Sequence, residues 1–467
     1  MNAENTAYAF QIRKLLIFVV AILFPLLIFL VPTNQDFTPQ LRTYFVITFF
    51  IIILMATELV PLFVSALALG TLYFLSGIAD IQTAFGYWTS TIVWMILGGL
   101  ILSTILEQCG LLARIAYLII CKCGGSFNGA VIGSFLVGIA LNLVTFCNGW
   151  IVACVLVYGL CKAMGLERSH QAGLICLAGA LGANGSVIYL YHPGYIALID
   201  SSLQSQISPD MMVGLFTPFS YLGWAIPCCL LTIFTFMRVY NTSDLKDKFN
   251  KAIFEKKLSD LGKMSYQEKL ALGFVTVLIV YLISCQFTKL PPAYGFMSIP
   301  YLMFLPGLEL GNAETIKRTN LASIFFIGAC LGIGIVGAKV GFGDFLTKLS
   351  VPLLQGYGKL AICLFFLAIG IVANILMTPF AMLSCLVIPF LQIASTLGVN
   401  PMGASFILQY ATDLVFFPHE AAGLMIMYSY GMWPMKDFII QNTVKTTINV
   451  AFFICLMYPV MSYFGMI

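Results

Sequence analysis

The stretch Leu143-Val-Thr-Phe-Cys-Asn-Gly-Trp-Ile-Val152 joins two apolar runs through a polar knot, Cys147-Asn148-Gly149, with no charge beside it. The apolar segment around the knot spans 127–164. A continuous crossing of the roughly 30 Å hydrocarbon core needs about 20 residues, so each leg suffices to go about halfway in and return if the knot is a turn. That reading requires a bilayer as solvent, and the composition supplies one. Hydrophobic residues make up 60% of the 467 and charged residues only 9%, against roughly 25% charged in an ordinary soluble domain. The mean hydropathy is +0.98. The expectation is an all-α polytopic membrane protein.

Continuous membrane-length helices are expected at 15–32, 43–57, 60–79, 90–107, 213–238, 270–287, 320–338 and 443–465, with a short apolar segment at 298–307. The first run follows Arg13-Lys14, is long for a signal-peptide core and lacks a small-residue cleavage site, so it reads as a retained helix. Its basic flank places the N-terminus in the cytoplasm, and the Lys-rich stretch within 239–269 reads as a cytoplasmic linker or amphipathic surface helix. The fourteen cysteines lie mostly in apolar runs, where thiols act as small hydrophobes, and Cys121-Lys-Cys123 has no second pair to complete a metal site. Neither an H-E-x-x-H helix nor paired Asp-rich motifs occur, which argues against a membrane-embedded enzyme. Nothing calls for a nucleic-acid partner or a cofactor.

A second segment, 359–397, is broken at Thr378-Pro379-Phe380 in the way that 127–164 is broken at Cys147-Asn148-Gly149. Each is followed by another broken run. One is 171–206, interrupted at Gly182-Ala-Asn184-Gly185-Ser186 and at Tyr191-His192-Pro193-Gly194; the other is 402–430, interrupted at Phe417-Pro-His419-Glu420-Ala-Ala-Gly423. Gly138-Ile-Ala-Leu-Asn142 resembles Gly370-Ile-Val-Ala-Asn374, and Glu107-Gln-Cys-Gly-Leu111 and Lys339-Val-Gly-Phe342 close comparable helices upstream. Two inverted repeats follow, each with a re-entrant hairpin and a broken helix. The divisions are 1–126 for the N-terminal and first scaffold helices, 127–238 for the first transport half, 239–269 for the linker, 270–356 for the second scaffold helices and 357–467 for the second transport half.

Irregular backbone at membrane depth survives only where protein or a wet cavity satisfies it. Four breaks at corresponding places therefore mark a midplane site. A helix that resumes after a break offers free N–H groups to an anion, and exposed carbonyls where a helix stops suit a small hard cation. Glycine at 149, 185 and 194 lets backbone approach a ligand closely.

With these features in place, the chain resembles the divalent-anion:sodium symporter family, the carriers of succinate, citrate and sulfate. Thr57-Glu-Leu-Val-Pro-Leu-Phe-Val-Ser-Ala-Leu67, Trp94-Met-Ile-Leu-Gly-Gly99, Leu106-Glu-Gln-Cys-Gly-Leu-Leu-Ala-Arg-Ile115 and Tyr430-Gly-Met-Trp-Pro-Met-Lys-Asp-Phe-Ile439 are similar to that family's motifs, in the same order. The resemblance implies a homodimer in the plasma (cell inner) membrane, each subunit holding a transport domain that slides like an elevator against a scaffold. It also implies that the hairpin tips bind substrate and border Na⁺ sites.

On that footing substrate falls to Cys147, Asn148, Gly149, Thr378, Pro379, Phe380, His192, Pro193, Gly194 and His419. The coupling ion, Na⁺ near Asn148 first, falls to Asn148, Asn184, Gly185, Ser186, Thr412, Asp413 and Glu420. The family's Ser-Asn-Thr tips are altered here: Asn148 keeps its place while Pro379-Phe380-Ala381 stands where the second Ser-Asn-Thr would. His192 and His419 fall at the breaks, where a protonated ring could hold an anion and Glu420 could carry a cation or a proton. Alternatives to a cation-coupled anion carrier are proton coupling, exchange, uncoupled flux, and oxyanion or arsenite-type efflux. Glu58 reads as structural and His170 as a solvated loop residue.

Overall fold

Hydrocarbon offers backbone N–H and C=O groups no partners, so a chain this apolar satisfies them within helices. The computed structural model describes residues 18–57, 59–89, 91–123, 126–240, 251–288, 290–319, 321–376 and 378–467, and these are helical with no strand among them. The Arg13-Lys14 flank, Glu58 and residues 241–250 of the linker lie outside the described residues. Five described helices are long and apolar enough to cross a membrane, or up to seven if each bent pair counts as one span.

After an N-terminal helical segment ending in a 3₁₀ turn at Leu27–Leu30 come α1 (Pro39–Thr57), α2 (Leu62–Leu75), α3 (Thr91–Gln108) and α4 (Leu111–Lys122). The first hairpin is α5 (Phe127–Thr145) and α6 (Trp150–Ala163). The first broken run is α7 (His170–Ala183), α8 (Ser186–Tyr189) and α9 (Pro193–Gln206), and α10 (Ala225–Val239) closes the half. The second half holds α11 (Tyr266–Thr288), α12 (Ala293–Leu302), α13 (Leu321–Lys339), α14 (Phe342–Leu354), α15 (Lys359–Leu376), α16 (Pro379–Thr396), α17 (Pro401–Ala411), α18 (Ala422–Ser429) and α19 (Met435–Phe452).

The expected boundaries shift for physical reasons. The run 213–238 divides into Thr217–Leu222 and α10, because Gly223-Trp224 interrupts it. The helix expected at 443–465 begins at Met435, straight after Pro434, and its polar first half faces inward. The amphipathic α4 and α14 were missed as elements. Each starts on a glycine in the left-handed region, Gly110 (φ 84°) and Gly341 (φ 80°), a conformation glycine adopts without steric cost. A helix at Lys251–Asp260 occupies part of the Lys-rich linker. Beside it Arg114 holds Glu268 through Nε at 2.6 Å and Nη2 at 3.1 Å, and donates to the Gly262 carbonyl at 2.9 Å.

Large apolar side chains stay exposed along α11, among them Val277, Val280 and Phe287. Such a surface is stable against lipid tails. Inside, small residues let helices close up. Gly138 leaves no room for a Cβ against Gly182 and Ala183, and Gly370 meets Ala411 in the same way. So α5 lies on α7 and α15 lies on α17 through matching glycines.

Candidate functional site

The first tip forms because α5 cannot continue past Thr145. Phe146 (φ 51°) and Cys147 (φ 66°) both adopt the left-handed conformation, which costs of order 1–3 kcal/mol for a non-glycine residue and persists only when the surroundings enforce it. The enforcing group is Asn142, wholly buried. Its Oδ1 accepts from the Gly149 N–H at 3.2 Å; its Nδ2 donates to Ser186 Oγ at 3.0 Å and to the Ala183 carbonyl. One side chain thus ties the tip to the end of α7. A Cβ on Gly149 would stand 2.9 Å from the Leu141 backbone, so the return of the chain requires glycine. Asn148 turns its Nδ2 to the carbonyls of Thr145 (3.3 Å) and Phe146 (3.2 Å), while its own carbonyl accepts from Ser103 of α3 at 3.0 Å. Cys147 is buried.

The second tip is tighter. Thr378 is extended (ψ 158°) and Pro379 opens α16 at once, its fixed φ suiting a first helical position. Asn374 occupies the place of Asn142: its Nδ2 donates to the Thr412 carbonyl at 3.3 Å. Its Oδ1, unlike that of Asn142, has no protein partner, and neither has Thr378 Oγ1. Phe380 lies edge-on to Tyr195 (4.8 Å between centroids) and to His192 (5.5 Å). The second tip therefore packs on the first broken run.

His192 caps α9. Its Nδ1 accepts from the Tyr195 N–H at 3.1 Å, ahead of Pro193 at the first helical position. An acceptor nitrogen carries no proton, so the capping form of the ring is neutral. Gly194 has no room for a Cβ between the Phe380 and His192 rings.

The two breaks also meet. Gln409 Nε2 donates to the Ile188 carbonyl at 2.8 Å, stitching α17 to the first break. Asn184 lies against Gly423, where a Cβ would overlap it, and Cys154 Sγ of α6 lies 3.6 Å from the Gly423 carbonyl. Gly185 and Ser186 begin α8, and Ser186 is fully buried. Thr412 Oγ1 donates back to Gln409 at 2.6 Å. Glu420 is buried and its Oε1 accepts from the Phe416 and Phe417 N–H groups at 2.9 and 2.7 Å; its Oε2 has no protein partner. His419 falls in the 3₁₀ turn Pro418–Glu420, and its side chain lies outside the described residues. Tyr189 Oη and Gln409 Oε1 are likewise buried without a protein partner.

Sequence reading missed the polar first half of α19. The helix buries Asp437, Gln441, Lys445 and Asn449, one turn apart. Asp437 sits 2.7 Å from His170 Nδ1, Trp433 Nε1 donates to Gln441 at 2.8 Å, and Tyr410 Oη donates to Asn449 at 2.7 Å. His170 is thus solvated as expected, 63% exposed at the side chain, but it is the first residue of α7 rather than part of a loop and is paired with Asp437. Lys445 is 2% and Asp413 8% exposed at the side chain; Nζ lies 3.2 Å from Asp413 Oδ1 and also donates to the Asp413 carbonyl. The available signal was the four-residue spacing of polar side chains over 437–449.

A cavity of about 690 Å³ runs along one face of α9, past Ala197, Asp200, Ser201 and Gln204, to Tyr191 at the break. Its rim includes Pro291 and Pro292, just beyond the end of α11, and Gly214 and Thr217, ahead of α10. It therefore opens at the ends of α10 and α11 that lie away from residues 251–265.

The chain matches the family described as the sodium:sulfate symporter transmembrane region over residues 12–466. It is similar to Inner membrane protein YbhI of Escherichia coli (strain K12), with 22% identity over 376 residues, 77% of this chain and 76% of that protein. A solved structure titled "Structure and Function of Neisseria gonorrhoeae MtrF Illuminates a Class of Antimetabolite Efflux Pumps" is similar in fold. Its TM-score is 0.53 at 13% identity, covering 83% of this chain and 85% of that one.

Proposed function

The chain belongs to the sodium:sulfate symporter family, a carrier rather than an enzyme, and from that membership we propose a cation-coupled carrier of a small dianion such as a dicarboxylate, citrate or sulfate. The observation that carries the reading is the meeting of two tips and two breaks where buried polar atoms have no protein partner: Tyr189 Oη, Asn374 Oδ1, Thr378 Oγ1, Gln409 Oε1 and Glu420 Oε2. Each such atom is costly to bury unpaired, and a fold that retains five at one structural feature is built to receive polar cargo. The starts of α6, α16 and α18 supply N–H groups and partial positive charge for an anion. Carbonyls and amide oxygens around Asn148 and Asn184 supply donors suited to Na⁺.

Movement follows an elevator. The transport body comprises the hairpins and broken runs, and α1–α3 and α11–α13 form the scaffold. A close glycine contact between the two bodies supports sliding: Gly334 of α13 meets the Ser384 backbone of α16. The carrier acts as a homodimer in the cell inner membrane with its N-terminus cytoplasmic. The test is uptake of labelled succinate, citrate and sulfate into proteoliposomes with Na⁺ and pH gradients imposed separately. Uptake driven by Na⁺ is expected. A flux that follows pH alone would replace Na⁺ with a proton carried by Glu420, and net export of an oxyanion or arsenite without anion uptake would favour the efflux reading.

A further inference from the structure

The second break already contains a cation. After Ala411 the chain leaves α17 at the negative end of the helix dipole, and the Thr412 and Asp413 carbonyls beyond it are met by the side chains of Asn374 and Lys445. Asp413 adds a carboxylate there. Unwound carbonyls at the end of a half-helix, joined by a carboxylate, make the surroundings that hold Na⁺ in broken-helix carriers. Here Lys445 Nζ lies in that position, 3.2 Å from Asp413 Oδ1 and donating to the Asp413 carbonyl. The matching bonds of Asn142 to the Ala183 carbonyl and Asn374 to the Thr412 carbonyl set Asn184 opposite Asp413 between the halves. Asn184 is uncharged, so among the described residues the matching position of the first half carries no such pair.

A charge at membrane depth is expensive unless paired, and marks function more often than packing. Lys445 reaches its position from α19, whose buried polar face runs Asp437, Gln441, Lys445, Asn449. The Asp413 position therefore does not fit a free Na⁺: its carboxylate and carbonyl oxygens are engaged by an ammonium.

We propose that the Lys445 ammonium is a tethered cation that permanently fills the cation position of the second break, so that this half of the molecule cycles without a diffusible ion. The consequence for coupling rests on the carrier reading above; the occupancy does not.

The test is thermal stability of the purified full-length protein in NaCl and in choline chloride, for the wild type, Lys445→Ala, and the neutral double variant Asp413→Asn with Lys445→Met. Removing the ammonium alone should leave Asp413 to recruit Na⁺. Lys445→Ala should then show a saturable Na⁺-dependent rise in Tm of several degrees beyond that of the wild type, and the double variant should not. An Ala variant no more responsive to Na⁺ than the wild type overturns the proposal, as does an equal gain in the double variant. If Lys445→Ala is lost on extraction in both salts, the pair is a brace of the fold and the proposal also fails, whether or not the double variant survives. Absence of anion uptake alongside the Na⁺ effect would sink the carrier reading and leave this one standing.

Discussion

At the scale of single residues, the site depends on Asn142 more than on the tip residue beside it. Asn142 satisfies the Gly149 N–H and holds Ser186 and Ala183, whereas Asn148 spends its Nδ2 on carbonyls of its own turn. Replacing Asn142 with Leu leaves several buried groups unpaired, at about 1–3 kcal/mol each. A clear fall in Tm in detergent together with lost uptake is expected, and unchanged stability would remove it as the anchor. Asn148→Asp adds like charge at the tip and should reduce anion uptake with little change in Tm; wild-type uptake would take Asn148 out of the site. The sequence displayed both asparagines, and the paired Gly138…Asn142 and Gly370…Asn374 strings pointed at the anchor. Which asparagine faces a break and which faces its own turn depends on φ at Phe146 and Cys147, two residues whose types do not announce it.

At the scale of elements, α9 starts on His192 and α19 carries the buried charge. A capping role makes a graded prediction. His192→Ala should lose about 0.5–2 kcal/mol of stability, the usual cost of an N-cap, and His192→Asn should restore most of it. If His192→Asn also keeps the wild-type pH profile of uptake, the ring caps and does not titrate in the cycle; a displaced profile would give it a second role. Hydropathy located the apolar C-terminal half of α19 and passed over residues 435–442, because a window average cannot distinguish polar residues facing water from polar residues facing a break. Only the neighbours decide that, and here they are Asp413, Tyr410, Tyr240 and His170.

At the scale of the whole molecule, the halves are crossed: the second tip packs on the first broken run through Phe380 and Tyr195, and Gln409 bonds to Ile188. The cavity along α9 gives this arrangement one accessible side. In the elevator reading, a cysteine at Gln204 should react with an impermeant maleimide from the side opposite residues 251–265, and transported anion with Na⁺ should slow the reaction as the body moves. Equal rates with and without substrate would count against the sliding motion. The sequence by itself determined the solvent, the helical class and the paired interruptions, because lipid forces backbone into helices and makes every break conspicuous against an apolar run. The tertiary structure alone decided which breaks face each other, that His192 caps a helix and that Lys445 meets Asp413. Those facts depend on contacts between residues far apart in the chain, among them the 32 positions from Lys445 to Asp413 and the 221 from Gln409 to Ile188, which no local pattern encodes.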